Sequence, residues 1–138
     1  FAVTSLDSSY IATTDYVHDH LGSVVLLDSR TKAEYEGVAH EWDEARTGHL
    51  PGAVHLPFDS VYDSLGTLRS RRELLRLFAD AGVVDRNAVV VSYCTGGVRS
   101  GLLTVVLRMV GFDNARNYDA SFWEWAAIDS LEIIGPER

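Results

Sequence analysis

The chain has 138 residues, of which 46% are hydrophobic and 23% charged, the balance expected of one soluble domain able to bury a sizeable core. A formal net charge of −8 disfavours a nucleic-acid or anionic-membrane partner. No apolar run approaches the ~18 residues of a membrane span and no signal-peptide pattern is visible; the single cysteine excludes an internal disulfide, a cysteine-rich zinc site and an internal resolving thiol.

Thr13 to Leu21 predicts a short helix with Thr13 or Thr14 as its cap and Tyr16, Val17 and Leu21 on one face. Val24 to Leu27 is a short apolar run, expected to be a buried strand ending at Asp28. Thr31 to Glu36 predicts a helical turn stopped by Gly37, and residues 38–47 have no clear period and read as a loop. A brief strand is expected over Ala53 to Leu56, and a turn over Asp63 to Thr67. Ser70-Arg71-Arg72-Glu73 is a capping box that opens a helix running to Gly82. Asn87 to Tyr93 is the most apolar β-branched run and the best candidate for the central strand. Arg99 to Val110 predicts an apolar helix, Asn114 to Tyr118 a further strand, and Ser121 to Ala127 a last helix with Ser121 at its N-cap.

Short apolar strands separated by helices imply an α/β fold with a central, mostly parallel sheet and helices on both faces. Ligands of such sheets bind beyond the carboxyl ends of the strands. Cys94 stands there, between the predicted central strand and the loop Thr95-Gly96-Gly97-Val98-Arg99-Ser100. A buried, inert thiol before a glycine turn is the plain reading of a lone cysteine. The loop argues for more. A helix start lowers a thiol pKa and binds anions through unpaired N–H groups. Gly96 and Gly97 can adopt positive φ and curl those groups toward one point. Arg99 adds a permanent charge, and Ser100 can cap the helix or donate to the sulfur. The set suits a nucleophilic thiolate and an anionic covalent intermediate.

Cys94 to Arg99 resembles the six-residue active-site loop of rhodanese-type sulfurtransferases. Leu27-Asp28-Ser29-Arg30 with Glu34-Tyr35-Glu36-Gly37 resembles the first signature of that family, and Arg46 to Ala53 its Gly-His-Ile-Pro-Gly-Ala motif. Gly111-Phe112, Asn117-Tyr118-Asp119, Ser121 and Glu124-Trp125 resemble the stretch after the active-site helix. The likeness is strongest to the C-terminal catalytic half of tandem thiosulfate or 3-mercaptopyruvate sulfurtransferases. It implies a rhodanese-like fold, one domain over 1–138 cut from a longer tandem protein with residues 1–10 linker-like, and an N-terminal rhodanese domain as partner. It also implies sulfur transfer through a persulfide on Cys94, from a small donor to cyanide, a thiol or a protein, with no cofactor and no metal. The loop N–H groups from Thr95 through Ser100 would cradle the persulfide. A second reading is a persulfide carrier or interaction module with little free turnover. A third is a cysteine-dependent phosphatase, although the nucleophile-to-arginine loop of those enzymes is one residue longer.

Asp28 and Arg30 are expected to form a supporting ion pair, and His49 to brace its loop. Metal binding is not expected, because His18 and His20 point to different helix faces and no trio has ligand spacing. Glu34 stands where some relatives carry a substrate-binding arginine, and would repel an anionic donor if it faced the site. Trp42 is a candidate for the site entrance, and Trp125 for the core. Arg69, Arg71 and Arg72 read as a solvated helix start, with an anionic docking patch as the alternative. A reducing, cytoplasmic setting is the expectation.

Overall fold

A computed structural model describes residues 5, 7–39 and 42–136. Its elements alternate as β1 (Ile11–Ala12), α1 (Thr14–Asp19), β2 (Val25–Asp28), α2 (Lys32–Tyr35), β3 (Val54–His55), α3 (Arg71–Asp80), β4 (Val90–Tyr93), α4 (Val98–Met109), β5 (Ala115–Tyr118) and α5 (Ser121–Ala127). Single 3₁₀ turns lie at Ser8–Tyr10 and Phe58–Val61. The five strands form one sheet in the order β1-β5-β4-β2-β3, with every pairing parallel. This is the α/β architecture expected from the alternation, and the 87–93 run does supply the middle strand.

The sheet separates two apolar layers. Successive strand residues point to opposite faces, so Leu27 and Val90 enter one layer while Leu26, Val91 and Tyr93 enter the other. Leu74 and Phe78 of α3 and Leu103, Val106 and Leu107 of α4 fill the first layer. Val17 of α1 and Phe122, Trp125 and Ala126 of α5 fill the second. Phe78, Leu107 and Trp125 are completely buried, and truncating any of them to Ala should cost about 2–5 kcal/mol. Trp125 is thus core, as its spacing from Phe122 implies.

Local chemistry explains the boundaries. Thr13 caps α1 by accepting from the Tyr16 N–H. Ser70 and Glu73 form the predicted capping box at α3. A second capping box, Thr31 with Glu34, starts α2. Two expectations change. Ser121 is the first residue of α5 and not its N-cap; Ala120 holds that place, and the Ser121 hydroxyl is taken by other partners. Strand β1 and the Ser8–Tyr10 turn lie in or beside the stretch read as linker-like, most of the remainder of which falls outside the described residues. Among the described residues no helix is long and apolar enough to cross a membrane.

Candidate functional site

The parallel sheet ends at one edge with Tyr93, and the chain turns there into the loop that carries Cys94. Two elements fix this turn. The Ser121 hydroxyl accepts from the Cys94 N–H at 3.1 Å and donates to the Tyr118 carbonyl at 2.6 Å. Two amides of the first turn of α5, those of Phe122 and Trp123, donate to the carbonyls of Cys94 and Thr95, each at 3.0 Å. These helix-start N–H groups would otherwise lack partners. Strand end and helix start therefore satisfy each other, and the sulfur is held at the junction.

Gly97 alone of the two loop glycines needs a left-handed backbone, with φ +85°. A Cβ there would sit 2.4 Å from the Asp119 carbonyl oxygen, so no other residue fits without a shift. Gly96 is exposed and takes an ordinary φ, with open space where a Cβ would stand, so the expectation that both glycines curl holds for one only. The turn at Gly97 aims its N–H at the Cys94 sulfur, 3.1 Å away. Ser100, the third residue of α4, is not a cap; its hydroxyl lies 3.6 Å from the sulfur and donates to Asn117 Oδ1 at 2.7 Å. Asn117 Nδ2 in turn donates to the Gly97 carbonyl at 3.0 Å. One amide on β5 thus ties together the Gly97 turn and the Ser100 hydroxyl beside the sulfur. The sequence marks Asn117 only as part of a resembling stretch and gives it no role, because nothing local shows that a strand residue reaches a loop twenty positions away.

Burial pushes the Cys94 thiol up. The N–H and hydroxyl of Ser100, the Gly96 amide and the Arg99 charge outweigh it, and the pKa falls below the ordinary thiol value. The arrangement favours a thiolate at the floor of a cavity of about 400 Å³. Thr95, Gly96, Val98 and Arg99 line it together with Trp42 and Trp123. Trp42 therefore does border the entrance.

Arg99 does not point its charge freely at the sulfur. Its guanidinium grips Glu34 in a fork, Nη1 to Oε2 at 2.8 Å and Nη2 to Oε1 at 2.7 Å. The Thr95 hydroxyl donates to the same carboxylate at 3.0 Å, and the Thr31 amide and hydroxyl donate at 2.8 Å each. Burial would raise the Glu34 pKa, but these bonds, Arg99 first, hold it at about 2. The Glu34 interaction likewise raises the Arg99 pKa. Glu34 is 1% exposed and adds no bare negative charge; it neutralises the cation instead.

The supporting residues lie beneath. Asp28 and Arg30 are both buried, bridged Nη2 to Oδ2 at 2.6 Å and Nε to Oδ1 at 3.0 Å. Arg30 also donates to the Gly48 carbonyl at 2.7 Å and stacks 4.0 Å over the Phe122 ring. It joins three segments around the site. His49 meets the Tyr35 carbonyl at 2.8 Å and stacks on the Tyr35 ring. Arg46, which opens the second signature stretch but has no role legible in the sequence, binds the carbonyls of Trp125, Ala126, Ile128 and Leu131 at and after the end of α5. His20 and His55 bind the carbonyls of Tyr16 and Arg30, and among the described residues no group of three His, Cys, Asp or Glu is placed to hold a metal. Arg69 and Arg71 bond to the carbonyls of Ser60 and Met109.

Comparison with known proteins agrees with this geometry. The family described as rhodanese-like domain matches residues 13–128. A protein of Saccharopolyspora erythraea provisionally named thiosulfate sulfurtransferase is 33% identical over 139 residues, covering 96% of this chain and 49% of that protein. Thiosulfate/3-mercaptopyruvate sulfurtransferase 2 of Arabidopsis thaliana is 34% identical over 110 residues, covering 79% of this chain and 32% of the plant protein. The fold also matches the crystal structure of Tum1 from Saccharomyces cerevisiae, with a TM-score of 0.81 at 22% identity over 97% of this chain and 49% of that one. The chain spans about half or less of the length of the curated relatives it matches.

Proposed function

The chain belongs to the rhodanese-like domain family, and on that premise we propose that it is a sulfurtransferase acting through a persulfide on Cys94. Relatives named as thiosulfate sulfurtransferases support the general class. The observation that carries the mechanism is the Cys94 sulfur at a cavity floor, within 3.1 Å of the Gly97 N–H and lowered in pKa.

With thiosulfate as donor, the Cys94 thiolate attacks the outer sulfur. A new S–S bond forms, the old one breaks, and sulfite leaves with its electron pair. No proton moves, and the charge is the same on both sides. The outer persulfide sulfur carries the negative charge, and the N–H groups of the loop from Thr95 to Ser100 stabilise it there. Cyanide or a thiolate then attacks that outer sulfur and regenerates the Cys94 thiolate. The α4 N-terminus favours the anion in each state. Asp28, Arg30 and His49 act by holding the loops in place. Within a longer protein, this unit would be the catalytic half of a tandem pair.

Intact-protein mass spectrometry tests the reading. The reduced chain is incubated with thiosulfate or 3-mercaptopyruvate beside a Cys94→Ser control. The expected result is a gain of one sulfur atom, lost on adding cyanide and absent in the control. A gain that persists in Cys94→Ser would refute the role of Cys94. Stable loading without steady turnover would favour a persulfide carrier.

A further inference from the structure

Helix α4 is apolar on its outer side as well as its inner one. The inner side buries Leu103, Val106 and Leu107. The outer side presents Val98, Leu102, Val105 and Met109, spaced four, three and four residues apart and so aligned in one stripe. Val98, Val105 and Met109 are 84%, 57% and 60% exposed. A helix at a protein surface ordinarily turns charged and polar residues outward, and one that is apolar all round is a covered helix. The two charged residues of α4 lie to either side of the stripe: Arg99 is held by Glu34, and Arg108 sits over the Tyr10 ring. Single apolar residues scattered over a surface are ordinary; an unbroken row along a whole helix marks an interaction face.

The far end of the stripe is cationic. Arg71, Arg86 and Arg108 gather at the last turn of α4, where they donate to the carbonyls of Met109 at 3.3 Å, of Val110, and of Ala115 at 2.8 Å. A Cβ on Gly111 would lie 2.8 Å from Arg86 Nη1 and 3.6 Å from Arg71 Nη2, so those two guanidiniums converge. Cations suit a helix C-terminus, and this accounts for the bonds to carbonyls. A carbonyl satisfies an N–H but leaves the charge standing. Among the described residues no carboxylate forms an ion pair with any of the three. Residues 86–112 hold no Asp or Glu, although the chain carries a net −8. Open apolar surface and uncompensated positive charge thus share one face of an acidic protein.

We propose that the outer face of α4 docks an amphipathic helix of a partner protein, one with an apolar stripe of its own and an acidic first turn. Charge complementarity selects that occupant and its direction. Carboxylates belong at the N-terminal end of a helix dipole, so the acidic turn lies against the arginines and the docked helix runs antiparallel to α4. Its apolar residues cover the stripe, as in other helix-binding surfaces. Val98, at the opposite end, also borders the cavity over Cys94. The docked helix therefore ends at the rim of the site, and the partner that carries it is held beside the sulfur. A second copy of this chain fits less well, because its own α4 would bring a further set of arginines and no carboxylate.

The test uses fluorescein-labelled synthetic helices of the length of α4, with binding followed by anisotropy. One peptide carries leucines at the spacing of the stripe and glutamates in its first turn. A second has lysines for the glutamates, and a third has serines for the leucines. The acidic peptide should bind about tenfold more tightly than the lysine peptide, the effect of about three exposed ion pairs. The difference should shrink as salt is raised, and the serine peptide should not bind. Arg71→Gln with Arg86→Gln keeps a donor for each carbonyl and should bring the two charged peptides together in affinity. Val105→Gln with Met109→Gln changes exposed residues and should abolish binding, while loading of Cys94 by thiosulfate stays as in the native chain. Equal binding of the two charged peptides overturns the inference, as does binding that survives the Val105→Gln, Met109→Gln variant, or no binding by any peptide. Capture by phosphatidylglycerol vesicles in place of the peptide overturns it in favour of a lipid surface. A dimer of this chain that the same double variant dissolves overturns it in favour of a second copy.

Discussion

Two arginine–carboxylate pairs stand near Cys94, and they are built differently. Asp28–Arg30 lies two residues apart in sequence and is shut off from solvent, with side chains 0% and 1% exposed. Its spare hydrogen bond goes to the Gly48 carbonyl, and its flat face goes to Phe122. Every contact it makes is to the frame. Glu34–Arg99 joins residues 65 positions apart, and Arg99 keeps 19% of its side chain exposed at the cavity wall. The first pair fixes where the loops are. The second fixes what charge the cavity presents. A fully buried pair costs desolvation on both ions, and its value is positional; a pair at a wall can select ligands as well.

Breaking the inner pair should have the largest effect. Arg30→Ala leaves Asp28 buried without its partner and the Gly48 carbonyl without a donor. A loss of about 3–5 kcal/mol in urea denaturation is expected. Arg30→Lys keeps the charge but loses the fork, so it should fall between the variant and the native chain. A loss below about 1 kcal/mol for Arg30→Ala would remove this pair from the frame.

The outer pair can be tuned by pH. The Glu34 pKa is depressed in the fold to about 2 from an ordinary value of 4.5. A depressed carboxyl stabilises above its ordinary value, and that stability is lost as pH falls toward the folded one. Glu34→Gln lacks this contribution. The stability gap between native chain and variant should therefore be widest above about pH 5 and narrow as pH falls toward about 2. A gap that stays constant would mean that Glu34 contributes nothing through its charge.

The contrast between the pairs also marks how far the sequence can be read. Asp28 and Arg30 sit together at a strand end, so their pairing is legible from proximity. The middle strand is legible too, because residues 88–91 are an unbroken apolar run and only a strand covered on both faces needs one. The partner of Arg99 is not. Glu34 stands in the sequence as a possible repulsion, and only the packing of α2 against the loop turns it into a counter-charge. Strand β1 has two residues, too few for any period to appear. Ser121 fits an N-cap by type and position, but tertiary contact with Cys94 and Tyr118 claims its hydroxyl first. Local rules locate the elements and the cysteine loop; pairings made across the sheet edge decide the electrostatics.

The smallest effect concerns one proton. The Ser100 hydroxyl can donate once, and it has two acceptors: Asn117 Oδ1 at 2.7 Å and the Cys94 sulfur at 3.6 Å. The shorter bond keeps the hydroxyl proton of Ser100 directed at Asn117 Oδ1 while the thiol is neutral. A thiolate is the stronger acceptor and competes for it. Ser100→Ala should then raise the Cys94 pKa, because one hydrogen bond to the charged form is lost. Asn117→Ala frees the hydroxyl and should shift the pKa the other way. Thiolate absorbance followed against pH reads both. Opposite shifts would establish that Asn117 restrains the donor as well as placing it. No shift in Ser100→Ala would mean that the hydroxyl stays with Asn117 throughout, and that the backbone amides alone hold the charge on sulfur.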